Sequence, residues 1–350
     1  MGIGFVPSMN GGVRAVKSGL QYRLGVPLLG LALLAGASRP AQALVIDPTF
    51  SSSITNSTAA ATIESDITQA IAFYDNTFTN PISVAIDFQI TSSASYLGQS
   101  LSSVDVETYS SYTSALQANA LQNQNTVEMG GYNHLASGNQ APQILATSAD
   151  LRALGFNASV TQSSGGSPFD SIITLNAGDL SGFGGSGSFA PEPIIQHEID
   201  EALGIGGAGS TLNTVARAGN TASSVANAPV INGLPTIGPL DMFRYSAAGT
   251  PSYSTSSSAQ SYFSLDGGQT SIEPFNQNSS DDFADWGVTS SPEVQDAVSQ
   301  YATSGLTANS PELLALQAIG YDTVPEPASL ALLGSALAGL ATLRRRARRV

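Results

Sequence analysis

The chain has 350 residues, 42% hydrophobic and 11% charged, with no cysteine and a formal net charge of −14. The lack of cysteine excludes a disulfide framework, and the acidic balance disfavours nucleic acid and anionic membranes as partners. Between its two ends the length allows one large domain or two small ones.

In chain order, residues 1–43 read as a secretory signal peptide. Arg14, Lys17 and Arg23 form a basic stretch, Leu24 to Ala37 an apolar run short for a bilayer, and Ala41-Gln42-Ala43 a small-residue cleavage site. Residues 44–323 form the body. Four of the twelve Lys and Arg lie at or before Arg39 and five lie in the C-terminal tail. Only Arg152, Arg217 and Arg244 then face the twenty-six acidic residues between Asp47 and Glu326, twenty-five of them in the body, so the processed body is near −22, with no lysine. Such a surface suits a hydrated, cation-rich extracellular setting.

Within the body, Glu64 to Phe78 has helical spacing, with Ile63, Ile67, Ala70, Ile71 and Tyr74 on one side. Asn80-Pro81 breaks it. Ile82 to Ile90 alternates as a strand should, and Asp105 to Gln122 predicts a second, more polar helix. Ile172 to Leu175 is a short buried strand. Glu192 to Leu203 is a helix with Pro193 in its first turn and Gly204 as its stop. Gly206 to Asn232 reads as a loop of small residues. Tyr262 to Leu265 reads as a strand entering the Asp266-Gly267-Gly268 turn, and Pro311 to Ile319 as a last helix. The order predicts an α+β fold.

The helix at 192–203 carries the chemistry. Gln196-His197-Glu198-Ile199-Asp200-Glu201-Ala202-Leu203-Gly204 reads as H-E-x-x-E. On a helix, His197 and Glu201 project together and Glu198 is offset by about 100°. Ile194, Ile195, Ile199, Ala202 and Leu203 would bury the rest. Zinc held by nitrogen and oxygen donors lowers the pKa of its water to roughly 7. A neighbouring carboxylate can take that proton and pass it to a leaving amine. The expected roles are Glu198 as general base, with His197 and Glu201 as metal ligands. A carboxylate where a second imidazole might stand favours harder ions, Mn or Ca, over Zn. A solvated acidic helix face would carry the same letters. For a third ligand the candidates are His134, the other histidine, and Asp241; a loop histidine and a turn aspartate are the plain alternatives.

Two further patterns are set aside. Gly182-Phe183-Gly184-Gly185-Ser186-Gly187 fits G-x-G-x-x-G but precedes a Ser/Gly/Asn loop, not the parallel strand a dinucleotide site needs; a flexible flap over the cleft is the reading taken. Asp281, Asp282 and Asp285 could bind calcium but lack the twelve-residue loop pattern, so they read as an exposed acidic turn. No G-x-S-x-G occurs, so no nucleophile elbow is indicated.

Two resemblances add to this. Gly204 falls where metzincin proteases (H-E-x-x-H-x-x-G-x-x-H) place their turn glycine, Gly207 falls where their third histidine would be, and Met242 follows as a Met-turn methionine would. More narrowly, an ordered series resembles bacterial exported proteins classed as PEP-CTERM metalloproteases with an H-E-x-x-E core. That series is Leu44 to Phe50, Asn80 to Val84, His197 to Glu201, Asp241 to Ser246, Tyr262 to Gly268, Asp285-Trp286 and Ala318 to Tyr321. The resemblance implies a zincin-like core and a metal-dependent endopeptidase acting on peptides or proteins, with Glu201 native to the pattern. The tail, 324–350, resembles the PEP-CTERM sorting signal: Pro325-Glu326-Pro327, the apolar Ala328 to Leu343, then Arg344, Arg345, Arg346, Arg348 and Arg349. It implies export to the cell surface or extracellular matrix, removal of the tail by an exosortase, and transient inner-membrane anchoring through 328–343 with the arginines cytoplasmic. The alternative function is a non-catalytic matrix or surface protein of the same fold, a pseudo-protease or a calcium-dependent adhesin.

Overall fold

A computed structural model describes residues 44–137, 141–217, 228–289, 291–298 and 304–324. The signal-peptide and sorting-tail readings, with the apolar run 328–343, lie outside these residues. Among the described residues no helix is long and apolar enough to cross a membrane.

The chain starts with β1 (Val45–Phe50), the single turn α1 (Ser52–Thr55), α2 (Ala60–Thr77) and β2 (Ser83–Thr91). The side of α2 that its spacing predicts is the buried one, Ile63, Ile67, Ala70, Ile71 and Tyr74. In β2, Val84, Ile86 and Phe88 are fully buried, as period-two alternation requires. Next come β3 (Gly98–Ser102), β4 (Val104–Thr108), α3 (Tyr109–Asn123) and α4 (Thr126–Asn133). The helix expected from Asp105 therefore starts four residues later. Val104 to Thr108 pairs antiparallel with β5 (Gln143–Thr147), and Thr108 caps α3 by accepting from Ser111 N–H. Alternating β-branched residues ahead of a good N-cap outweighed the helical spacing there.

The chain continues through α5 (Ser148–Ala153), the hairpin β6 (Gln162–Ser164) and β7 (Ser167–Phe169), β8 (Ser171–Asn176) and α6 (Pro191–Leu203). The stretch read as a loop from Gly206 instead holds a 3-10 turn (Gly206–Gly209), α7 (Leu212–Arg217) and β9 (Val230–Ile231). Then follow β10 (Leu234–Ile237), a 3-10 turn (Leu240–Phe243), β11 (Arg244–Ala247), β12 (Thr250–Pro251), β13 (Tyr262–Phe263), β14 (Glu273–Pro274) and α8 (Pro311–Ala318). The architecture is mixed α+β with several sheets.

The sheet that positions the site has the order β1-β2-β8-β3. Its first three strands run parallel and β3 lies antiparallel beside β8. Helix α6 packs on β3 and β8 and against α2, while the β6–β7 hairpin covers β2 and β8. The other sheets run β4-β5-β10-β9 and β12-β11-β13-β14.

Candidate metal centre

Helix α6 is buried on all sides from Pro193 to Leu203, so each polar side chain on it needs a partner. The predicted apolar residues Ile194, Ile195, Ile199, Ala202 and Leu203 are buried. Asp200 faces α2, where Tyr74 Oη lies 2.8 Å from Asp200 Oδ1 and 2.9 Å from the Gln196 backbone carbonyl, and the Gln196 side chain turns elsewhere, its Oε1 accepting from Leu306 N–H at 2.7 Å. His197, Glu198 and Glu201 face a cleft of about 860 Å3. Gly204 ends the helix at φ 116°, and so needs a residue without Cβ.

His197 and Glu201 come together as their spacing predicts, with Nε2 to Oε1 at 3.8 Å. His197 Nδ1 donates to the Val294 carbonyl at 2.9 Å, which leaves the Nε2 lone pair facing the cluster. Glu201 is oriented from two sides, accepting from Ser100 Oγ at 2.5 Å and from Gly207 N–H at 3.0 Å. At Gly207 a backbone N–H thus holds the carboxylate ligand candidate.

The third member of the cluster is Asp285. One donor atom each from His197, Glu201 and Asp285 lie within 4.8 Å of one another, all in buried residues. Neither third-ligand candidate joins them. His134 is exposed at the end of α4, with Nδ1 on the Gly130 carbonyl at 2.8 Å. Asp241 is buried but its oxygens accept from Ser210 Oγ, Thr211 N–H and Gly238 N–H, so it clamps a loop. Met242 is a core residue of the same turn. The exposed acidic turn expected at 281–285 is also corrected: Asp285 is 3% exposed, and Asp282 lines the same cleft. The sequence signal for Asp285 was its place beside Trp286 in the family-like series. That signal does not say which way the side chain turns.

Asp285 is held there by its loop. Trp286 N–H donates to the Gln295 carbonyl, and Trp286 Nε1 reaches Glu312 Oε1 at 3.1 Å. Arg244, fully buried, donates to the Phe283 carbonyl at 2.6 Å and lies 4.4 Å over the Phe275 ring. The segment Gly182 to Gly187 is no flap over the cleft. Its N–H at Gly187 bonds the Gly178 carbonyl, and Gly182 and Gly184 lie nearest Thr62 and Ala59. The cleft rim is built by residues 94–102 instead. Asn176 Nδ2 holds that rim by donating to the Ala94 and Tyr96 carbonyls at 3.1 Å each.

Glu198 is 4% exposed, and its Oε2 has no hydrogen-bond partner. Burial, then the charges of Glu201, Asp285 and Asp282, hold its carboxyl well above the ordinary range. Burial and the same neighbours raise Asp285, and burial raises Glu201 against the opposing pull of His197. Arg152 is committed to Asp170 at 2.8 Å and Arg244 to backbone carbonyls. An imidazole nitrogen and buried carboxylate oxygens, crowded and mutually repelling, form a donor set that fits a divalent cation.

Residues 323–346 match the PEP-CTERM protein-sorting motif. No curated protein and no solved structure matches the chain. The motif indicates an exported bacterial protein that an exosortase recognises at its C-terminus and processes, and that is placed at the cell surface or outside the cell.

Proposed function

We propose that the body is a metal-dependent peptidase with a zincin-like core, exported to act on peptides or proteins. The observation that carries this is Glu198: a buried carboxylate with an unpaired oxygen, on the cleft beside His197, Glu201 and Asp285. A divalent cation, zinc or a harder ion such as manganese or calcium, would be held by those three residues and would supply Lewis acidity. Glu198 takes a proton from the attacking water and returns it to the leaving amine. Ser100 and Gly207 orient Glu201, and Val294 fixes the His197 tautomer.

The parallel β1-β2-β8 order with antiparallel β3 at the margin, backed by α2 and α6, supports the zincin-like reading. In its sheet β3 pairs with β8 alone, and it lines the cleft along its whole length. An extended peptide can add to such an edge, and Leu101, 56% exposed, offers it an apolar contact.

The carboxylate-rich donor set favours a second reading, a non-catalytic surface protein of the same fold with a structural cation. Glu198→Gln separates the two. Under the first reading peptide hydrolysis falls at least about 100-fold, while metal content and melting temperature stay at wild-type values. Hydrolysis equal to wild type in this variant removes Glu198 from the reaction, and no cleavage by either protein supports the second.

A further inference from the structure

We propose that Gln295 is a fourth donor to the cation of this cluster, through its side-chain carbonyl, and that its amide turns over when the cation enters. The proposal rests on the metal reading above and extends it to a residue that no motif contains. Gln295 is fully buried. Its Nε2 lies 3.2 Å from His197 Nε2 and donates to Asp285 Oδ1 at 3.0 Å, so it stands among the cluster's own donor atoms. Its Oε1 is buried with no partner. An amide's two ends are nearly alike in shape, so half a turn would put Oε1 where Nε2 now lies. There it would stand 3.2 Å and 3.0 Å from two of the cluster's donors. Donors around one tetrahedral zinc, each about 2.1 Å from it, lie about 3.4 Å apart. The turn would give the unpaired carbonyl a partner, and the cation would take over the Asp285 and His197 atoms that Nε2 gives up.

The backbone of Gln295 is held on both sides, so the turn involves the side-chain amide alone. Gln295 N–H donates to Glu312 Oε1 at 2.8 Å, and its carbonyl accepts from Trp286 N–H at 2.8 Å. On the other side lies Gly206, where a Cβ would come within 2.2 Å of Gln295 Nε2. The loop after α6 thus leaves room for the amide only because that position has no side chain. A carbonyl oxygen as fourth donor also shifts the site's preference toward harder cations.

The rival role for the same side chain is a plug whose NH2 group stands in for the cation, and the two roles predict opposite signs. In the full chain purified free of metal, Zn2+ and Mn2+ affinities would be measured by calorimetry for wild type, Gln295→Leu and Gln295→Glu. A donor role predicts at least tenfold weaker binding in Gln295→Leu, with Gln295→Glu, which keeps an oxygen, as tight as wild type or tighter. Unchanged or tighter binding in Gln295→Leu, or equal weakening in both variants, overturns it. Should Gln295→Leu fail to fold, the Gln295 side-chain carbonyl carbon of wild type provides the test by NMR. It moves downfield on zinc addition if its oxygen coordinates, and a stationary signal overturns the proposal. A wild-type chain that binds neither ion sinks the metal reading and this proposal together. Wild-type binding with an undiminished Gln295→Leu sinks this proposal alone.

Discussion

At the scale of single residues, the site depends on how tightly Glu201 is held. Ser100 Oγ grips one oxygen, Gly207 N–H the other, and His197 is 3.8 Å away. A Cβ at Gly207 would come 2.7 Å from Glu201 Oε1 and 3.0 Å from Asp282 Oδ2. The obstacle is the tip of a side chain, not backbone, so Gly207→Ala would fold and push the carboxylate aside. Metal affinity is expected to fall about tenfold, or about 1.4 kcal/mol, and the metal-free protein to lose about 1 kcal/mol as the Gly207 N–H bond to Glu201 weakens. Calorimetric titration beside a thermal melt checks both. Legibility at this scale divides by distance along the chain. His197, Glu198 and Glu201 share one helix, so helical geometry alone brings them to one side. Asp285 reaches them from a loop whose course depends on Arg244, Trp286 and Glu312, and no local pattern encodes that course.

At the scale of elements, α6 is a buried polar helix clamped on the flank that meets α2. Tyr74 of α2 serves both the Asp200 carboxyl and the Gln196 carbonyl. Asp200 Oδ2 already lacks a partner. Tyr74→Phe would leave both of its oxygens unpaired in a site with no exposure. Losing a buried hydrogen-bond donor costs about 1–3 kcal/mol, so the melting temperature should drop by several degrees. Because Tyr74 touches Asp200 and the Gln196 carbonyl and none of the three candidate ligands, metal affinity should stay within about threefold. A large affinity loss would mean that α2 sets the cleft geometry directly. Helix α2 and strand β2 are legible because burial on one face imposes a period on the sequence, whereas α6 and α8, buried nearly all round, are legible from the proline in the first turn of each and the glycine that follows each. The two- and three-residue strands, such as β9, β12 and β14, are too short for any period to show. The 104–108 strand is hidden in the sequence because its polar residues fit a helix equally well.

At the scale of the whole molecule, the body keeps many carboxyl groups inside a fold with three arginines and no lysine. Away from the cleft, Glu128 is fully buried between α3 and α8, its carboxylate within reach of Asn119 Nδ2 at 3.1 Å. Burial, augmented by Asp322 and Asp150 and opposed by the Asn119 hydrogen bond, pushes its pKa up to about 9. The unfolded chain would titrate this group near about 4.3. The folded state therefore binds the proton more tightly. The stabilisation is complete below the unfolded value and is lost as pH rises towards 9. Wild type should accordingly melt at lower temperature at pH 9 than at pH 5. Glu128→Gln keeps the shape and the neutral state but removes the titration. Its melting temperature should match wild type near pH 5 and exceed it near pH 9, with Asp150 and Asp322 leaving some residual slope. Melts across that range at fixed chelator concentration provide the check. Parallel curves for the two proteins would show that Glu128 reaches solvent before it ionises, and that the buried acid network tolerates charge by opening.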